Sequence, residues 1–297
     1  MIKQQGKTKI GRYEGVVGAF FVMPAFCFLI LFLIMPAILA VGYSFFNYNM
    51  LKPDAKSFIG LANYIEILQN HTFYKALFNT FYFVLIVVPV QSIVALLLAI
   101  LVNKKVKTSK FARLCFFAPV VTSMVVISIL WTILYNRDNG LINGLLSMFH
   151  IAPQPFLLSE KQAMNCIIVM SIWQAAGYQM MIFLAGLQDI SPEYYEAASI
   201  DGANGIQMFR YITVPSLKHV IHFVLIITTI QAFKLFTQPY IMTNGGPNES
   251  TKTLVYQIYE QGFQYRNVGY SSAMAVIMFL IIVAATFVLK AFLRTEE

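Results

Sequence analysis

Apolar residues run along this chain in long blocks separated by short polar segments. Six blocks approach or exceed the roughly 20 apolar residues that a bilayer-spanning helix needs: residues 16–44, 76–102, 114–135, 163–187, 219–242 and 269–289. Turn formers mark the segments between them, as in Lys52-Pro53-Asp54, Arg137-Asp138-Asn139-Gly140 and Asn244-Gly245-Gly246-Pro247. The pattern predicts an all-α, polytopic membrane protein with six transmembrane helices, forming one domain over residues 1–297. The first block follows several basic residues, as in a secretory signal, but it is too long for a signal core and lacks a small-residue cleavage site. It is therefore expected to be a span, extended or kinked at Pro24 and Pro36.

Composition sharpens this picture. Hydrophobic residues make up 58% of the 297 positions and charged residues 11%, whereas soluble domains carry about a quarter charged residues. The net charge of +8 lies in short segments beside the apolar blocks, where membrane topology accounts for it and nucleic-acid binding is not indicated. Cys27, Cys115 and Cys166 are scattered in apolar surroundings, so neither a disulfide framework nor a metal site is expected. His219 and His222 stand three apart without a carboxylate or cysteine to complete a ligand set.

Lys and Arg accumulate on the cytoplasmic side of membrane proteins. On one side of the predicted topology lie Lys3, Lys7, Lys9, Arg12, Lys104, Lys105, Lys107, Lys110, Arg113, Arg210, Lys218, Lys290 and Arg294, 13 in all. The opposite side holds 7, and Lys234 falls inside a span. Both termini are accordingly expected in the cytoplasm, together with the segment 188–218, the longest loop on that side.

That loop reads as a pair of short helices. Ser191-Pro192-Glu193 is a helix start: Ser caps free backbone donors, Pro tolerates the first helical position, and Glu suits the positive end of the helix dipole. Gly202 supplies a left-handed stop after Asp201, and Pro215 ends a second short segment. Glu196 beside Ala197 and Ala198 leaves a charge next to a shallow notch, suited to insertion into a partner. An amphipathic helix resting on lipid headgroups fits the same residues.

The spacing Glu196-Ala197-Ala198, Gly202, Ile212-Thr213-Val214-Pro215 resembles the E-A-A-x3-G-x9-I-x-L-P signature of binding-protein-dependent ABC importer permeases, with Val214 in place of Leu. Phe58-Ile59-Gly60-Leu61-Ala62-Asn63-Tyr64 and Asn244-Gly245-Gly246-Pro247 resemble segments of the carbohydrate-uptake branch, the maltose and oligosaccharide type. The resemblance implies a type I ABC importer permease fold in a bacterial cytoplasmic (inner) membrane, with no cofactor in this chain. It also implies partners: a second homologous permease subunit, two copies of a cytoplasmic ATPase that carries ATP and Mg, and an extracytoplasmic solute-binding protein. Glu196, Ala197, Ala198, Asp201, Gly202 and Pro215 are then the residues that couple to the ATPase.

Polar side chains within spans usually face a bundle interior or a cavity. Ser171, Gln174 and Tyr178 share one face of the fourth span, and Thr228, Gln231 and Gln238 one face of the fifth. These are the candidate substrate pathway for a sugar or oligosaccharide, with interhelical hydrogen bonding as the competing role. Lys234 either snorkels to the interface or faces inward, where it would contact an acidic sugar.

An ion-coupled secondary transporter is the alternative, but no Asp or Glu lies within a proposed span. An intramembrane hydrolase lacks a nucleophile–base pair. Gly6-Lys7-Thr8 lacks the upstream glycine of a phosphate-binding loop, so this chain is expected to be a transport subunit and not an enzyme.

Overall fold

The computed structural model describes residues 9–103 and 107–294. Gly6-Lys7-Thr8, Lys3, Lys104 and Lys105, used above, lie outside the described residues.

The chain is helical almost throughout. In order, the elements are α1 (Lys9–Leu29), a π-helical turn (Ile30–Ile34), α2 (Met35–Tyr43), β1 (Phe46–Asn47), β2 (Ser57–Phe58), α3 (Ala62–Gln69) and α4 (His71–Val102). Next come α5 (Lys107–Val121), α6 (Met124–Leu134), α7 (Leu141–Met148), α8 (Ala163–Asp189), α9 (Pro192–Ile200), α10 (Gly205–Met208) and α11 (Val214–Ser216). The last are α12 (Lys218–Phe233), α13 (Thr237–Met242), α14 (Leu254–Tyr259) and α15 (Val268–Arg294). Five stretches are long and apolar enough to cross a membrane, and α5 with α6 makes a sixth if that bent pair counts as one span.

Two predicted spans depart from single straight helices. The third is broken between α5 and α6 by a bend of 99°. Ser123 is extended there (φ −55°, ψ 131°), and Pro119 inside α5 has already removed one backbone donor from its last turn. The fifth, expected to be continuous over 219–242, is interrupted at residues 234–236 between α12 and α13. Pro239 explains this break: it has no N–H for the Leu235 carbonyl, and its ring crowds that oxygen. Thr253 Oγ1 takes over as donor to Leu235 O at 2.7 Å, so the freed acceptor stays satisfied, as an apolar environment demands. In the first span the π-helical turn holds Phe32, four residues before Pro36, whose missing N–H leaves that carbonyl without its usual partner.

The chain divides into two compact units. One comprises the residues up to Glu66 together with Gln261–Val276. Within it, Asn63 Nδ2 donates to Ser44 O (2.8 Å) and Phe46 O (3.0 Å), and the Tyr64 hydroxyl bonds Ser44 Oγ at 2.7 Å. The Asn-Tyr pair thus ties the chain after β2 to the end of α2. β1 and β2 pair antiparallel, Phe46 opposite Phe58.

The other unit, Ile67–Glu260 with the chain from Ile277 onward, is organised around α8. Of the apolar window of α8, 61% is buried, against none for the window at 17–43, so α8 is the central helix. It packs along α4, α5 and α12. Ala95 and Ala99 of α4 and Ala176 of α8 are buried at the crossing with Met180, Phe183, Leu217 and Val224. Small residues matter here because lipid offers no hydrophobic drive between helices, and close backbone approach replaces it. Gly177 marks the limit: a Cβ on it would lie 2.1 Å from the Phe116 carbonyl oxygen of α5. Around this core, Phe78, Leu85, Phe279 and Phe287 are exposed, as lipid-facing side chains must be.

Candidate transport cavity and coupling segment

The segment after α8 folds as the capping residues dictate. Ser191 Oγ accepts from the Glu193 N–H at 3.4 Å, and Pro192 occupies the first turn of α9. Asp201 caps the end, and Gly202 then adopts φ +80°, a left-handed turn in which a Cβ costs roughly 1–2 kcal/mol. Asn204 begins α10 with a reciprocal capping box: its side chain accepts from Gln207 N at 3.0 Å, while Gln207 Oε1 accepts from Asn204 N at 2.7 Å. The Tyr195 hydroxyl bonds Thr213 Oγ1 at 2.9 Å, fastening α9 to the returning chain. Pro215 lies in the first turn of α11.

Glu196, Ala197, Asp201, Gly202 and Pro215 are all exposed, and Ala198 is half-buried. Ile200 is 87% exposed, Ile206 79% and Tyr211 70%. A helix pair whose large apolar side chains point away from its own protein is built to be covered by something else.

Between α4, α6, α8 and α12 to α13 lies an open cleft of about 160 Å³, smaller than the 300–1,000 Å³ usual for complete small-molecule sites. Gln91, Ser171, Gln174, Thr228, Gln231, Lys234 and Gln238 line it. The break at 234–236 does not scatter the fifth-span residues, because Thr228 and Gln231 before it, Lys234 within it and Gln238 beyond it reach the same space. Gln91, Ser171, Gln174 and Thr228 are buried, while Gln231 and Lys234 are exposed at the mouth.

Some of these groups already have structural partners. Gln174 Nε2 donates to Pro119 O at 3.3 Å, at the bend between α5 and α6. Thr228 Oγ1 accepts from Gln179 Nε2 at 3.1 Å. Ser171 Oγ is buried without a hydrogen-bond partner, which leaves it free for a solute hydroxyl. Tyr178, expected on the same face of α8 as Ser171 and Gln174, is not part of the cleft lining and is 39% exposed.

At the end of the spans opposite α9, the segment 243–253 is held onto α4. Asn79 Nδ2 donates to the carbonyls of Glu249 (2.8 Å) and Lys252 (2.9 Å). Lys252 pairs with Glu249 at 3.2 Å and Glu260 at 2.9 Å. Burial opposes its charge, but the hydrogen bonds to Glu260 and Glu249 prevail and raise its pKa above the ordinary lysine value. Phe236, Tyr240 and Tyr259 cluster beside it, with ring centroids 4.9–5.4 Å apart.

Residues 58–295 match the family described as the binding-protein-dependent transport system inner membrane component. The chain belongs to this family. It is a multi-pass inner-membrane permease of an ABC transport system. This permease is 36% identical over 286 residues to the probable ABC transporter permease protein YurN of Bacillus subtilis (strain 168), covering 95% of this chain and 97% of the relative. It is 33% identical over 293 residues to the arabinooligosaccharides transport system permease protein AraP of the same organism, covering 96% and 91%. Its fold matches a chain in the crystal structure of a bacterial ABC transporter involved in the import of the acidic polysaccharide alginate, with a TM-score of 0.82, 21% identity and 96% of each chain covered.

Two features of the permease cleft were not anticipated from sequence. Gln91 belongs to neither of the polar faces read from the sequence, although a buried amide within an apolar span is itself the signal. The break at 234–236 was also signalled, by Pro239.

Proposed function

We propose that this permease forms part of the path of a sugar or oligosaccharide and that its segment 188–218 is driven by a separate ATPase. The observation that carries the solute class is the cleft lining. Gln91, Ser171, Gln174, Thr228, Gln231 and Gln238 present amide and hydroxyl groups that both donate and accept, between apolar walls from Phe83, Val87 and Leu235. A saccharide has that duality, with hydroxyls at its edges and C–H faces between. The permease relative named for arabino-oligosaccharides supports the same class. Ion coupling usually requires a carboxylate or a broken helix near the midplane; the described lining contains no carboxylate, while the break between α12 and α13 is a feature that an ion-coupled transporter would share.

In this reading the 13 basic residues on one side of the topology put both termini and segment 188–218 in the cytoplasm. The exposed face of α9, with Glu196, Ala197 and Ala198, enters a cleft of the ATPase, and Asp201, Gly202 and Pro215 fix the geometry of the turn and return. Two ATPase copies bind ATP and Mg, a second homologous permease completes the pathway, and an extracytoplasmic binding protein delivers the solute. This chain itself is not an enzyme: closure of the ATPase pair moves α9, and the spans alternate between outward and inward access.

The test is uptake by the assembled transporter carrying Glu196→Lys or Gly202→Pro. Each variant is expected to reach the membrane at normal level and to lose ATP-driven uptake; unaltered uptake in either removes the coupling assignment.

A further inference from the structure

Lys234 is the one charged residue among the described residues lining the cleft, and it forms no ion pair among the described residues. The carboxylates nearest in the chain, Glu249 and Glu260, are already engaged by Lys252. The rest of the lining is uncharged, amides and hydroxyls among apolar side chains. Lys234 closes α12 at the break (φ −85°, ψ 14°), its N–H bonded to Gln231 O at 3.0 Å, so the backbone that carries the amine is pinned at the cleft mouth.

An ammonium kept in a transmembrane segment without a counter-ion is by default the mark of a site whose partner has to be named. We propose that the partner is the solute: the cleft accepts a saccharide that carries a carboxylate, with Lys234 as the group that reads its charge. This inference rests on the saccharide reading above and narrows it. A single ammonium flanked by amides balances one negative charge. A phosphate monoester, at about −1.5 to −2, would leave excess charge in the cleft. The competing roles for Lys234, exposed at the cleft mouth, are snorkelling to the membrane interface and a local one, the complement of the negative C-terminal end of the α12 dipole.

The experiment uses the complete transporter with its cognate binding protein in lipid nanodiscs and reads solute-stimulated ATPase activity. The probes are uronate di- and trisaccharides, their methyl esters, which keep the skeleton and remove the charge, and neutral oligosaccharides. The free acids are expected to stimulate the wild type more than the esters do. In Lys234→Gln the acid-to-ester ratio should fall about tenfold, equivalent to about 1.4 kcal/mol, and Lys234→Arg should restore most of it. Because each ratio is compared with that of the wild type, selection by the binding protein cancels. An unchanged ratio in Lys234→Gln, or a wild type stimulated only by neutral sugars, overturns the charge reading and leaves the saccharide reading intact. Stimulation by a non-saccharide alone overturns both. An equal loss for acid and ester in Lys234→Gln assigns the amine to helix capping and overturns the proposal.

Discussion

Gly202→Ala probes the coupling segment with the least ambiguity. Gly202 has φ +80°, and no heavy atom lies within 4 Å of where its Cβ would be, so an added methyl group meets no steric obstacle. The whole cost is conformational, about 1–2 kcal/mol for an L-residue in the left-handed region, or a factor of about 5–30 in the population of the turn. The Tyr195–Thr213 hydrogen bond that fastens α9 to the returning chain (2.9 Å) contributes about 1 kcal/mol, so the penalty rivals the polar tie opposing it. Transport coupled to ATP should therefore fall several-fold while the amount of protein in the membrane stays constant. Gly202→Asn should lose less, because Asn visits the left-handed region more readily. The assay is solute uptake and solute-stimulated ATPase activity, normalised to permease in the membrane. Wild-type coupling in Gly202→Ala, or equal losses for Ala and Asn, would refute the claim that the turn positions α9.

Other perturbations address the cleft and the frame. Gly177→Ala should destabilise the permease, since its Cβ would sit 2.1 Å from the Phe116 carbonyl; thermal unfolding in detergent should shift down, and an unchanged midpoint would mean α5 yields freely. Gln91→Ala and Ser171→Ala should reduce solute transport with folding retained, whereas Tyr178→Ala, outside the cleft lining, should leave transport near normal; uptake kinetics separate the two groups. Gln179→Leu, which removes the bond to Thr228, should cost about 0.6 kcal/mol of stability, as interhelical bonds in membranes do, read by the same unfolding assay. The Lys252 pairs raise its pKa in the folded state, so their stabilisation is fully present below the unfolded lysine value and is lost as pH rises through the folded one; the protection of amides at 244–256, relative to their intrinsic base-catalysed exchange, should hold up to the ordinary lysine value and fall only above it.

How much of this was legible beforehand depends on where the deciding interactions lie. The helix pair at 191–216 was readable because its signals are local: Ser191, Pro192 and Glu193 cap and start α9, and Gly202 stops it. Five spans were readable from apolar blocks alone, and the sixth if the bent pair of α5 and α6 counts as one. The bend between α5 and α6 and the break at 234–236 were signalled by Pro119 and Pro239, but a proline within an apolar block does not announce its outcome. Pro89 sits inside α4, which continues through it. The outcome at Pro239 depends on Thr253, a donor far along the chain that fixes Leu235 O, and no local pattern reveals that pairing. Tyr178 was assigned to the pathway from spacing along α8, which gives a face but not its neighbours. In the structure the cleft stops at Gln174 and Ala175.

The most direct test of the central claim is a photo-reactive side chain at Ala197, exposed on α9, irradiated in native membranes that contain all the subunits. The account predicts an adduct with the cytoplasmic ATPase that weakens when Glu196→Lys is added. Adducts with lipid alone, at the same yield with and without the ATPase, would contradict it.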